Sequence, residues 1–435
     1  MTKKEKKKSW KERQRERQTK QQNAQESSQI QREARKKTRQ WPKGKILVAA
    51  FSIVLILGVY AVWQYATEPL PLIYIRSDGS VDPETASISN LGNSNYVFTS
   101  DVYSSIIVER DNIVVDGGNH ILQGKGGNDS KGIDLRGRSN VTIMNVRLQD
   151  FGYGIYLYSS SNNVIAQNQF TSQHNGIWFE FSSNSIARGN SITKSDASIL
   201  LYSSSNNTVT DNDLTNNQFG ISLSSSSDNS ISANNIENNE GAIGLSYSSK
   251  NNISENTLDN NQYSISVAYG SSENSIRGNS ITSSDGAILL AYSSNDNDIS
   301  GNQLDSNKAG VRLDQSQGNS VSANNIENGE DSITLDSSSN NTITDNEVVS
   351  NQFGISLSSS SGNSIFHNKF ISNTYSVYSS LSQNIWDDGY PSGGNFWSDY
   401  EKLYPDAKAL DDSNIWDKPY VIDESNLDKY PFMSR

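Results

Sequence analysis

The chain has 435 residues, 34% of them hydrophobic, and a formal net charge of −12. It contains no cysteine, which excludes a disulfide framework, a cysteine-ligated zinc site and a thiol nucleophile. Charge is unevenly divided: residues 1–45 carry 17 Lys+Arg against 5 Asp+Glu, and the remainder carries 19 against 43, so a basic head and an acidic body need separate explanations.

Residues 1–45 contain "KKEKKKSWKERQRERQ", which reads as a solvated tail that orients a membrane anchor. Binding to anionic lipid or nucleic acid is the sharper alternative; the anchor alone accounts for the charge, so nucleic acid is not an expected partner. Residues 46–66 follow as a transmembrane helix, with no charge between Ile46 and Trp63 and enough length to cross a core of roughly 30 Å. Tyr60, Trp63 and Tyr65 stand at its far end, where amphipathic rings favour the interface. A secretory signal peptide is the rival, but its basic region would be short and a small-residue cleavage site would follow. The positive-inside bias keeps the basic head in the cytoplasm. The expected localisation is therefore a single-pass cell-membrane protein with its acidic body on the extracytoplasmic side.

Residues 67–142 include "DNIVVDGGNHILQGKGG" and "GIDLRGRSNVTIMNV" and read as entry and capping coils. Residues 143–383 then repeat. An apolar anchor recurs at Ile143, Ile165, Ala187, Val209, Ile231, Ile253, Ile276, Ile299, Val321, Ile343 and Ile365, with eight intervals of 22 residues and two of 23. Three residues after ten of these anchors stands an asparagine: Asn168, Asn190, Asn212, Asn234, Asn256, Asn279, Asn302, Asn324, Asn346 and Asn368. Apolar and polar residues alternate within each unit, as in Ile221-Ser222-Leu223, which is strand spacing. No helix fits between the Gly, Asn and Ser clusters. The expected architecture is all-β: a parallel β-helix solenoid of about eleven 22-residue coils, each too small to fold alone and stabilised by stacking. The recurrent Asn tolerates left-handed backbone at a sharp bend, and its amide can bond from coil to coil in a ladder. Disordered low complexity would not keep such registered apolar columns.

A second period of two coils lies within the first. Three residues before a second apolar column stand His174, Asp196, Gln218, Glu240, Gln262, Asp285, Lys308, Glu330 and Gln352. Asp196, Glu240, Asp285 and Glu330 thus form an acidic stripe whose alternation doubles a coil spacing of about 4.8 Å. The stripe reads as charge management on a solvated edge, or else as a site for sugar hydroxyls or cations.

Residues 384–435 break the period with "NIWDDGYPSGGNFWSDY", three tryptophans and nine aspartates, and read as a C-terminal cap, which an exposed solenoid end requires.

The repeats "SSSNNTVTDNDL", the entry "DNIVVDGGNHILQGKG" and the ending "NIWDDGYPSGGNFWSDY…KPYVID…DKYPFM" together resemble the NosD-like right-handed β-helix proteins, within the group named for carbohydrate-binding proteins and sugar hydrolases. The likeness covers roughly residues 72–433 and is closest to archaeal-type surface members. It implies a right-handed, pectin-lyase-like fold outside the cytoplasm and no single reaction. Copper, associated with the family, is disfavoured: His120, His174 and His367 are scattered and only Met144 and Met433 lie in the acidic body. Related endings resemble a calcium loop before "PYVID"; here Asp406, Asp411, Asp412 and Asp417 keep hard oxygen ligands while the loop glycines are missing. The compact Asp-Asp, Gly-His-Gly and Arg-Ile-Lys signatures of polygalacturonases do not occur as a set. The richest polar patches are Asp134, Arg136, Arg138, Arg147 and Asp150, and Asp285, Lys308 and Glu330. The expected function is a carbohydrate-binding or structural module of the envelope, and the alternative is a polysaccharide lyase or glycoside hydrolase.

Overall fold

The computed structural model describes residues 71–434; the basic tail and the expected transmembrane helix over residues 46–66 lie outside them. Among the described residues, no helix is long and apolar enough to cross a membrane.

One coil shows how the sequence makes the fold. Strands Val164–Ala166, Gln169–Thr171 and Asn175–Glu180 are separated by single residues in the left-handed region: Gln167 at φ 58°, Ser172 at 57°, Phe181 at 50° and Asn184 at 52°. A lone left-handed residue turns the chain without lengthening it. Each strand then pairs in parallel with its counterpart in the next coil, as Ile155 does with Ile177 and Ile165 with Ala187. Three sheets result, of 15, 13 and 14 strands. Six-residue strands build the first and three-residue strands most of the other two.

The interior is a stack of apolar columns. In one coil Ile231, Ile236 and Ile243 are fully buried and Leu245 is 3% exposed, each contributing about 1.5–3 kcal/mol by leaving water. The 15-stranded sheet exceeds the eleven coils expected. The additional turns come from the entry segment, where Leu72–Ile75 pairs in parallel with Ser105–Val108, which in turn pairs with Lys131–Asp134. Its period is masked because the antiparallel pair Ile88–Leu91 and Asn95–Phe98 is inserted into it.

The ladder asparagines are buried at the corners. Asn190 Oδ1 accepts both the backbone N–H and the Nδ2 of Asn168, at 3.0 and 3.1 Å, while Asn168 Nδ2 also donates to the Ile143 carbonyl at 3.0 Å. One expectation is corrected here. The left-handed angle belongs to the residue before each ladder Asn, as at Asp211, Ala233 and Glu255, not to the Asn itself. The bend residue aims the next side chain inward, where its amide replaces the backbone pairing that the corner interrupts.

At the far end, Phe396–Trp397 pairs in parallel with Lys369–Ile371, and Asn395 Oδ1 accepts the Asn368 N–H at 3.0 Å. Phe370, Trp397 and Tyr420 stack at centroid distances of 4.6 and 4.3 Å.

Candidate binding face of the long-strand sheet

Alternation along the six-residue strands turns one central residue of each coil outward. Register aligns Asp134, Tyr156, Trp178 and Leu200 in one column, which continues to Arg312 and Thr334. Chemistry gathers at two places along it.

Near the N-terminal end, Tyr153, Tyr156 and Trp178 are half-buried. Tyr153 meets Trp178 edge-on at 5.2 Å and Tyr156 at 5.5 Å, and the Lys131 ammonium lies 4.7 Å from the Tyr156 ring centroid. Tyr156 donates its hydroxyl proton to Glu180 Oε2. Burial and then the Glu180 carboxylate push the Tyr156 phenol well above its ordinary range, so it serves as a donor rather than a base. Asp134 is buried and held by Arg136, with Nη2 to Oδ2 at 2.7 Å. Trp178 Nε1 is buried without a hydrogen-bond partner, a donor left over after folding. The patch offers aromatic surface, a cation and hydrogen-bonding groups, the combination that packs against sugar rings and hydroxyls.

The second place holds paired charges. Arg312 Nη2 lies 3.8 Å from both Asp314 Oδ2 and Asp336 Oδ2. Burial raises the Asp314 carboxyl, and burial followed by the Glu330 charge pushes Asp331 up to about 6.

The acidic stripe is partnered coil to coil. Asp196 bonds His174, Glu240 Oε2 accepts from Gln218 Nε2 at 3.2 Å, and Asp285 is ion-paired with Lys308. The bond to Asp285, and after it the nearby Glu330 charge, hold the Lys308 ammonium above its ordinary range. Of the other sequence-singled charges, Arg138 Nη1 donates to the Glu109 carbonyl at 2.9 Å and Asp150 Oδ2 accepts from Gln123 Nε2 at 2.8 Å.

The four C-terminal aspartates do not converge. Asp411 accepts from the Tyr390 hydroxyl at 2.6 Å and the Ser413 N–H at 2.8 Å, and Asp417 accepts from the Lys408 N–H at 2.8 Å. Among the described residues, no three His, Asp or Glu side chains group as a metal site.

Sequence reasoning missed three further ladders. Asn207, Asn229 and Asn251 line one corner, Asn217 and Asn239 another, and Ser204, Ser226 and Ser248 a third. The signal was present as "SSSNN" before Ile165, Val209 and Ile343, with its second Asn two residues before the anchor.

The family described as right handed beta helix region matches residues 131–281, and periplasmic copper-binding protein (NosD) matches residues 247–402. No curated protein matches the chain. Among solved structures, a mutant of the periplasmic alginate epimerase AlgG is 16% identical, covering 68% of this chain and 80% of that one with a TM-score of 0.52. A mutant tailspike protein of E. coli bacteriophage HK620, in complex with pentasaccharide, is 11% identical, covering 66% of each chain with a TM-score of 0.47. DFA-IIIase from Arthrobacter chlorophenolicus A6 is 13% identical, covering 70% of this chain and 92% of that one with a TM-score of 0.45. At such identities the likeness is one of fold.

The residues here do not fit the copper that the second family's description implies. His174 bonds Asp196 and Asn128, His367 Nε2 lies 3.0 Å from the Ser392 carbonyl, and His120 stands 3.5 Å from Asp101. About nine coils, on the order of 40 Å, separate His174 from His367, so no soft donor set assembles. The two matched regions run along the stacked parallel coils in succession, and the chain is a NosD-like right-handed β-helix protein.

Proposed function

We propose that this protein is a carbohydrate-binding β-helix of the cell envelope, anchored through residues 46–66 and closed by residues 384–433. The observation that carries this reading is the cluster of Tyr153, Tyr156 and Trp178 on adjacent coils, interleaved with Lys131 and Glu180. Half-exposed rings at a coil spacing of about 4.8 Å suit an extended saccharide laid along the solenoid. AlgG is a periplasmic alginate epimerase, which makes alginate a useful probe here.

A second reading, polysaccharide cleavage, is favoured by one observation: Asp331, pushed up to about 6, lies beside Glu330. A carboxyl whose proton affinity is raised by burial is a pattern of general acid catalysis. A screen of neutral and acidic glycans with the full chain, with and without calcium, tests both. Binding without product supports the first reading; released reducing ends or unsaturated uronates support the second.

A further inference from the structure

We propose that the corner leaving the long strands is a platform for the ring faces of a neutral polysaccharide, with Tyr247, Tyr269 and Tyr292 as its contacts. The proposal rests on the carbohydrate-binding reading and gives it a second surface and a ligand class.

The solenoid supplies its own control. Most coils turn this corner on one left-handed residue: Ser159, Ser203, Ser225, Ser337 and Ser359 do so at φ 51°, 47°, 51°, 51° and 51°, and Phe181 at 50°. Tyr247 holds the same bend at 51°, while Tyr269 and Tyr292, at 56° and 54°, are each followed by a second left-handed residue, Gly270 at 70° and Ser293 at 61°. The turn therefore does not require an aromatic residue, and a bulky side chain in this region is rare. Nor does full burial account for it: Tyr247 is 59% exposed, and Tyr269 and Tyr292 are half-buried. What the substitution creates is a wall: Tyr247 and Tyr269 stack at 5.6 Å and 25°, and Tyr269 and Tyr292 at 5.0 Å and 17°.

The neighbouring coils leave one end of that wall open. Next to Tyr247 the bend residue is the exposed Ser225, and one coil further Tyr202 rises 42% exposed from the strand end. Tyr202 and Tyr247 thus stand two coils apart, about 9.6 Å between backbones, enough to admit one sugar ring between aromatic side chains. Ser249 Oγ accepts the Ser272 N–H at 3.1 Å and keeps its own proton to donate to a ligand. Charge selects the ligand. Lys250 and Glu273 pair at 3.9 Å beside the wall, and residues 46–435 carry 43 acids against 19 bases, so an acidic polymer is repelled and a neutral one is not.

The test is affinity electrophoresis of the full chain through gels containing mannan, laminarin or hydroxyethyl cellulose, with alginate as the acidic comparison. The Tyr247→Ser/Tyr269→Ser/Tyr292→Ser variant uses the residue that this bend already carries elsewhere. Its melting temperature should stay near that of the parent, and retardation by a neutral glycan should fall about tenfold or more. Unchanged retardation overturns the proposal, as does a parent that no neutral glycan retards. If the triple variant melts early, Tyr247→Ser alone at the open end decides, and full retention by it overturns the proposal. Altered sedimentation with unaltered retardation marks a protein contact and also overturns it. Retention lost in Trp178→Ala but kept in the tyrosine variant sinks this inference and leaves the carbohydrate-binding reading standing; a parent retained by no glycan sinks both.

Discussion

Asn234 gives both its backbone N–H and its Nδ2 to a single atom, Asn256 Oδ1, at 3.0 and 2.9 Å. Asn256 Nδ2 in turn donates to the Ile231 carbonyl at 3.0 Å. One amide therefore satisfies buried groups on two preceding segments. Asn256→Ala strands them, at about 1–3 kcal/mol for each group left unpaired. Urea unfolding should show a loss of several kcal/mol; a loss under about 0.5 kcal/mol, ordinary for a surface site, would remove the ladder from the account.

The alternation on the long strands makes a second prediction. Ile355 is fully buried, whereas Ser358 on the same strand is exposed. Ile355→Asp places an unpaired charge among stacked apolar columns and should prevent cooperative folding, while Ser358→Asp should shift the melting temperature little. Equal shifts would contradict the register. Ser222 is unsuitable as the outward control, because it is only 3% exposed despite facing out.

Much of this was legible in the sequence, for identifiable reasons. The 22-residue anchors and the Asn three residues beyond them gave the coil because each position meets the same neighbours in every turn. The left-handed residue was not legible, because Gln167, Gly189, Asp211, Ala233 and Glu255 fill it with no common chemistry. Nor was the Tyr156–Glu180 pair, which joins residues 24 apart through register alone. The entry turns were hidden by inserted hairpin strands, and the partners of Asp411 and Asp417, namely Tyr390, Ser413 and Lys408, could not be read from the spacing of the C-terminal aspartates.

The C-terminal module carries a pH dependence of definite sign. Asp428 is fully buried and accepts from Asn395 N, Trp397 Nε1 and Tyr430 N at 2.7, 2.9 and 3.1 Å. Burial nevertheless pushes it up to about 7 from an ordinary 3.8. Its contribution to stability is present below 3.8 and is lost as pH rises through about 7. The parent should lose stability across that interval more steeply than Asp428→Asn; identical slopes would show that Asp428 titrates normally.

Gly394 tests the same packing sterically. A Cβ there would lie 1.9 Å from Asp428 Oδ1. Gly394→Ala should displace the module and quench its tryptophan signal before the solenoid melts. A variant with parental melting and fluorescence would mean that the two segments do not pack as described.

The topology proposed from the basic head and residues 46–66 is checked by adding protease to intact cells. The acidic body should be cleaved and the N-terminal 45 residues protected; an accessible N-terminus on unbroken cells would reverse the orientation.

The central claim is that the outward face binds a glycan without cleaving it. Its most direct measurement is the association of the full chain with a glycan array, beside Trp178→Ala and with product analysis of the same mixtures. The account predicts saturable binding by the parent, weakening by about tenfold or more in Trp178→Ala, and no released saccharide. Binding indifferent to Trp178, or release of shortened glycans by the parent, would contradict it.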